Sequence, residues 1–499
     1  MDKRTLIALA LILVITLLMP YYQRWILGDK VMKTPVEQVD TLSTAAAQKD
    51  TATLYEQYNA ALEKEAAAPV ESVIPEETPS DIKKIVQEAP EVKEIYIENE
   101  FIRAKISTQK GANPTLWELK KYDYYQDGKV NLVYQNGLDV EVTNRDGKII
   151  KLSDFNLYSS ELNPDKIILN EKNPTAELEF YLPMANGRIV KRMRFYYDQY
   201  AADVIVYFEN LRDYVINRRY FFNWNNGLPS TEENVKEDFS YARAYAYMAG
   251  ELEDLDVSKE KSEEKELNGR VDWAAIRSKY FLAAIIPINP KKTNGVTLSG
   301  NGVKLEGELH KIYDVSLEIP YDPAISQRDT FKVFIGPLDY GVLKSYKVDL
   351  QTLVMNKDWY ERLFRPISLL ILPAFKLLHG FIPNYGLVII IFSILIKLLL
   401  HPLTRKSYQS MSEMQYIQPK LTELREKYKN DPQRLNKEMM RLYKEHGINP
   451  LGGCLPMLLQ MPLLFALFIV FRSTIQLRGQ PFILWITDLS RPDTLSEAM

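Results

Sequence analysis

The stretch YGLVIIIFSILIKLLLHP, residues 385–402, is apolar apart from Ser393, Lys397 and His401. A second run, residues 451–471, carries no charge and holds Pro456, Gln460 and Pro462. Crossing a hydrocarbon layer takes roughly 20 such residues, and each run reaches that length with its flanks. Buried helices of a large soluble protein would show the same composition. The segment between the runs argues against that. Residues 404–447 hold ten Lys and Arg against six Asp and Glu. A basic excess beside apolar runs marks a cytoplasmic loop.

Within this loop Met411, Met414, Ile417, Leu421, Leu424 and Tyr428 recur at helical spacing. Asn430-Asp431-Pro432 reads as a restart, with a capping acid and a proline in the first turn. Leu435, Met439, Leu442 and His446 form a second stripe, and Gly447 suits the position after a helix end. The spacing predicts a helical hairpin. Its stripes either pack on each other or offer a docking surface for a ribosome or targeting factor, and the pattern alone does not choose.

Further out, residues 6–19 form another apolar run, with Lys3 and Arg4 before it and Tyr21, Tyr22 and Trp25 after it. No small-x-small cleavage site follows, so an uncleaved signal anchor is expected. Its N-terminal charges place the N-terminus in the cytoplasm. The expected topology puts residues 29–380 outside, 404–447 inside and the C-terminus outside. Before the first core span, residues 365–381 are apolar but carry Pro366, Pro373, Lys376 and His379. They suggest an amphipathic helix lying in the outer interface.

The middle of the chain is polar, which brings the mean hydropathy to −0.23. Residues 29–90 hold 12 acids against 6 bases among Ala, Pro and Thr, as a tether would. From about residue 95 to 350 strand alternation takes over. Tyr313, Val315, Leu317 and Ile319 alternate, as do Phe331, Val333 and Ile335. Asn186-Gly187 marks a hairpin between two such strands. An antiparallel β-sandwich is expected, with residues 259–266 read as a charged solvated loop.

Several function classes fall away. The net charge is −3, so nothing suggests direct nucleic-acid readout. Cys454 is the single cysteine, which excludes an intramolecular disulfide, and the four histidines are scattered. There is no phosphate-binding loop, no Gly-x-Ser-x-Gly elbow and no metal-ligand spacing. No catalytic residue, cofactor or metal is expected.

Specific motifs carry a resemblance. NPLGGCLP at 449–456 continues to LQMP at 459–462. PLT stands at 402–404, QPK at 418–420, and DLS at 488–490 follows Trp485. Jointly, over residues 355–499, they resemble the YidC/Oxa family. Trp273, Lys279-Tyr280-Phe281, Ile286-Pro287 and Gly336-Pro337 resemble the Gram-negative form with a large periplasmic domain. The resemblance implies a multi-domain inner-membrane protein with a partial α-helical transmembrane core and a mutarotase-like super-sandwich. The implied function is insertion and folding of nascent membrane proteins in the bilayer, alone or beside the Sec translocon. It also implies a hydrophilic groove, with a basic residue on the first core helix. Lys397 holds that position, where arginine is commoner, and Gln460 matches a groove position. Ser393, four residues before Lys397, shares its helix face. Three more spans are expected after 488–490, so the chain reads as a fragment or a truncated gene product.

The expected organisation is a signal anchor (1–28), an acidic linker (29–90), the sandwich (91–350) and an interfacial helix region (351–381). A transmembrane helix (382–403), the cytoplasmic hairpin (404–447), a second transmembrane helix (448–474) and an outer loop (475–499) follow. Two other functions compete with insertion: a membrane-tethered carbohydrate-binding or carbohydrate-active sandwich, and a plain anchor. The first requires aromatics and paired carboxylates in one concave site. The second has no use for Lys397 or for a basic hairpin.

Overall fold

Residues 95–350 fold as β-structure because their apolar side chains alternate and their turns are rich in Asn, Asp and Gly. A computed structural model describes residues 90–134, 137–184, 187–211, 215–305, 308–322, 326–356, 358–447, 455–484 and 486–491. The expected anchor at 1–28, the linker up to residue 89, Asn186, Cys454 with residues 449–453, and Trp485 lie outside the described residues.

Three sheets build the sandwich. The largest has nine strands. From one edge they are Glu251–Leu255, Arg243–Met248, Trp273–Arg277, Phe281–Pro287, Gln327–Pro337, Ala201–Glu209, Arg188–Tyr196, Thr175–Pro183 and Tyr158–Ser159. A six-stranded sheet runs Ser262–Asn268, Gly295–Leu305, Glu308–Pro320, Val215–Trp224, Leu138–Asn144 and Ile149–Lys151. Their inner faces meet where Phe222 stacks on Phe331 at 4.1 Å and Tyr220 donates its hydroxyl to Asp329 at 2.9 Å. A five-stranded sheet closes one side, tied in by Trp117 Nε1 donating to the carbonyl of Ile335 at 3.0 Å. Among the described residues every strand pair is antiparallel except Glu94–Glu98 with Lys166–Ile168.

The expected hairpin is present, with Pro183 opposite Arg188. A Cβ at Gly187 would lie 1.9 Å from the carbonyl oxygen of Glu209, so only glycine fits there. Residues 259–266 correct an expectation. Instead of a solvated loop, Ser262–Asn268 is an edge strand paired with Gly295–Leu305. Its charges obscured the strand in the sequence. They suit an edge, because they discourage pairing with another chain.

Beside a single turn at Gln109–Ala112, two short helices decorate the described part of the sandwich, α1 (Val235–Tyr241) and α2 (Tyr340–Ser345). Four longer ones follow: α3 (Trp359–Phe381), α4 (Tyr385–Lys427), α5 (Pro432–Glu445) and α6 (Leu455–Ser473). Two stretches are long and apolar enough to cross a membrane by length and composition, Trp359–Phe381 and Tyr385–Pro402. The prolines break neither. Pro366 and Pro373 lie inside α3, and α4 continues for 43 residues through Pro402 and Pro419. Pro402 therefore closes the apolar run without ending the helix. A proline deletes one ladder bond and bends a helix whose neighbouring turns are intact.

The hairpin signals are realised residue by residue. Asp431 caps α5 by accepting from Arg434 N at 3.0 Å, Pro432 occupies its first turn, and Gly447 adopts φ 65°. Ile417 and Leu421 are buried against Met439 and Leu442, so the stripes pack on each other.

Candidate functional site

Helix α3 is the hub of the membrane-type helices. Ser368 on α3 donates to the carbonyl of Ala466 on α6 at 3.2 Å, and Phe364 stacks on Phe465 at 5.3 Å. On the same face Phe375 meets Phe392 of α4 edge-on at 4.8 Å and stacks on Phe471 of α6 at 5.9 Å. These contacts turn Val388 and Phe392 of α4 inward. Ser393 and Lys397 fall one turn apart at the margin of that buried stripe, and both are exposed. Ser393 returns its hydroxyl to the carbonyl of Ile389 at 2.7 Å, which leaves Lys397 as the free polar group of the face. Among the described residues no carboxylate pairs with Lys397.

Gln460 is exposed on α6. The inward residues of α6 are Ala466, Ile469 and Val470, and helical spacing sets Gln460 well away from them. The structure therefore sets Ser393 and Lys397 one turn apart on α4, and Gln460 is exposed on α6.

The N-terminal end of this face is closed. Asn384 caps α4 by accepting from Leu387 N at 3.1 Å, and its Nδ2 donates to the carbonyl of Phe482 at 3.0 Å. The Phe482 ring lies over Gly386, where a Cβ would come within 2.0 Å of it. Gly386, Ser393 and Lys397 share one face by spacing, seven and four residues apart. The polar stripe thus ends beneath an aromatic lid.

A second constellation, which sequence reasoning missed, joins the helices to the sandwich. Arg478, just beyond α6, is 8% exposed. It donates Nε to Glu232 at 2.7 Å, Nη1 to the carbonyl of Asp123 at 2.8 Å and Nη2 to the carbonyl of Thr231 at 3.1 Å. Its guanidinium also covers the Phe281 ring at 5.3 Å. Burial holds the Glu232 carboxyl above the usual range even with Arg478 against it. Arg472 lies 3.7 Å from Glu237, Arg362 3.6 Å from Asp254 and Lys376 3.7 Å from Asp339. In each of these pairs the cation comes from the helical part and the carboxylate from the sandwich or its rim.

The weaker sandwich motifs serve packing and local hydrogen bonds. Trp273 donates Nε1 to the carbonyl of Val348 at 2.8 Å. Lys279 reaches Glu237 at 3.2 Å, and its backbone N–H donates to Asp238 at 3.0 Å. Gly336 leaves room for Phe334 and Tyr200, each about 3 Å from where its Cβ would be.

Two cavities of the sandwich hold one carboxylate each, Asp329 in one and Asp238 in the other. A cavity of about 130 Å³ beside Asn289 and Arg328 holds one carboxylate, Asp329. That group already accepts from Tyr220 and Gln327 and pairs with Lys292 at 3.2 Å.

The profile of the YidC periplasmic domain matches residues 94–366, and that of the 60Kd inner membrane protein matches residues 377–499. The membrane protein insertase YidC of Pelodictyon phaeoclathratiforme is 38% identical over 414 residues, covering 80% of this chain and 68% of that protein. The chain belongs to the YidC family of membrane protein insertases. The YidC protein of Prosthecochloris aestuarii is also 38% identical, over 413 residues, covering 81% of this chain and 69% of that one. A galactose mutarotase related enzyme from Lactobacillus acidophilus is similar over 48% of this chain and 97% of its own, at 12% identity and a TM-score of 0.29, too slight a likeness to argue from. YidC-family proteins reside in the inner membrane and work on nascent membrane proteins in the bilayer. Their activity is insertion, not catalysis.

Proposed function

We propose that this chain receives the polar part of a nascent membrane protein along the Ser393–Lys397 face of α4, from the cytoplasmic side. The supporting observation is Lys397 itself, exposed on an apolar helix with no carboxylate partner among the described residues. A charge at mid-bilayer costs about 2.5–3.5 kcal/mol on insertion scales, so a mere anchor gains nothing from it. In this reading water hydrates the face from the cytoplasm, and Phe482 over Gly386 stops it at the outer end. Lys397 attracts an acidic translocated tail. Burial of the substrate's apolar segment in lipid drives the step, and the membrane potential adds about 2.3 kcal/mol per charge per 100 mV. In this reading Gln460, exposed on α6, is a second polar group of the groove.

The topology that serves this has residues 29–380 outside, 404–447 inside and the C-terminus outside. Since the stripes of α4 and α5 consume each other, the hairpin offers its basic outer surface to a ribosome or targeting factor. The Sec translocon is the proposed lateral partner.

Insertion assays with acidic-tailed and neutral-tailed substrates test the groove. Lys397→Arg should keep activity, while Lys397→Ala and Lys397→Glu should lose the acidic-tailed class first. Equal insertion of both classes by Lys397→Ala overturns the charge mechanism.

A further inference from the structure

The loop after α6 is built unlike a loop meant for water. Between Gly479 and Thr487 the sequence GQPFILWIT has no charged residue. Its base is fastened: Leu489 N donates to the carbonyl of Gln480 at 3.0 Å, and Asp488 Oδ1 accepts from Gly479 N at 2.9 Å and Ser490 N at 2.8 Å. A second rung joins Phe482 N to the carbonyl of Ile486 at 3.0 Å. The charged groups flanking the loop are used up at its base, Arg478 by Glu232 and Arg491 by Asp488 at 3.1 Å. Among the described residues the tip presents Ile483, 56% exposed, and Leu484, 80% exposed. Leu484 has φ 57°, a conformation that glycine or asparagine adopts at lower cost. A turn in water would carry one of those residues. This one is hydrogen-bonded into shape and presents two large aliphatic groups.

Its position names the partner. Asn384 and Gly386, which hold Phe482, are the cap and first turn of α4. The tip is one and two residues from Phe482, hence within about 7 Å of that helix end. Phe381 and Leu377, at the adjoining end of α3, are exposed as well. These four side chains gather around the outer end of a span.

We propose that the turn at Ile483 and Leu484 is a lipid-contacting wedge, both side chains seated at the headgroup–acyl boundary of the outer leaflet, beside the closed end of the Ser393–Lys397 face. This rests on the reading of α4 as a membrane span. Burying two aliphatic side chains in lipid compensates their exposure and the backbone strain of Leu484. Held there, the wedge displaces acyl chains at the place where a translocated tail would emerge.

The test uses the full chain with Cys454→Ser in liposomes. Leu484→Cys, Ile483→Cys, Leu398→Cys and Leu162→Cys are each labelled with an environment-sensitive dye. Quenching is then compared between lipids brominated near the carbonyls or deep in the acyl chains, and aqueous iodide. Positions 483 and 484 should be quenched by the shallow bromine and shielded from iodide, position 398 by bromine, and position 162 by iodide alone. If iodide reaches 484 while bromine quenches 398, the wedge is wrong and the span stands. If neither quencher reaches 484, protein covers the tip and the wedge is equally wrong. If 398 escapes bromine at both depths, the spanning reading fails and the wedge falls with it.

Discussion

Arg478 and Glu232 stand 246 residues apart and meet at 2.7 Å inside the seam between helices and sandwich. Both are nearly free of solvent, so the pair is a positional lock more than a source of net stability. Removing one partner leaves the other buried and unpaired. Arg478→Met should destabilise the protein by about 3–5 kcal/mol. Adding Glu232→Leu should recover most of that loss. Thermal unfolding in detergent, with limited proteolysis of residues 474–491, reads both effects. A single variant that melts like the parent removes the lock.

The lid over Gly386 yields a sharper double-variant experiment. Gly386→Ala drives a methyl group into the Phe482 ring, and the loop must move. Reagent applied from the outer side should then label Ser393→Cys faster than in the parent background. Combining Gly386→Ala with Phe482→Ala should leave the face open, while Phe482→Ala alone should open it without any glycine change. Unchanged labelling in all three means that the ring does not close the stripe.

Lys191 sits fully buried among strands, with Nζ donating to the carbonyls of Gly111 at 2.9 Å and Leu138 at 3.1 Å. Burial pushes its ammonium down to about 7. The unfolded chain holds this proton up to the usual lysine range near 10.4, while the folded chain releases it near 7. Folding therefore gains stability as pH rises between those limits, by up to about 1.4 kcal/mol per unit. Denaturation of the sandwich from pH 7 to 9.5 should show this slope, and Lys191→Met should flatten it. A parent whose stability is level over that range contradicts the account.

In the hairpin, Leu421 is buried against α5. Leu421→Ala should cost about 2–5 kcal/mol locally. Hydrogen exchange of residues 412–445 should quicken while that of the sandwich stays as it was. Equal exchange in the two proteins would show that the stripes do not hold the hairpin.

Topology has its own check. With Cys454→Ser, a Lys420→Cys variant should react only with reagent admitted to the cytoplasm, and Leu162→Cys only with reagent outside. Outside labelling of position 420 inverts the arrangement.

Local signals were legible and distant pairings were not. Asp431, Pro432 and Gly447 announce the ends of α5 because caps are chemistry between near neighbours. The 385–402 run announces a helix long and apolar enough to cross a membrane, because that property is one of composition. The continuity of α4 through Pro402 escaped because a proline inside a helix and one ending it look alike in sequence. Ser262–Asn268 hid its strand behind edge charges. Arg478 carries no local mark of its buried partner. The face of Ser393 and Lys397 followed from four-residue spacing, whereas the relation of Gln460 to it depends on how helices pack, which spacing cannot supply.

The unbroken α4 also has a mechanical side. Lys397 and Lys420 lie on one rod, about 35 Å apart at 1.5 Å per residue. A load applied to the basic hairpin arrives at the Lys397 turn as a torque, not as a local push. Pro402 and Pro419 both stand between them, each where the ladder lacks a bond, and Pro402 is the joint nearer Lys397. The helix is therefore a jointed arm, with the Lys397 turn on one side of its joint and the basic hairpin on the other.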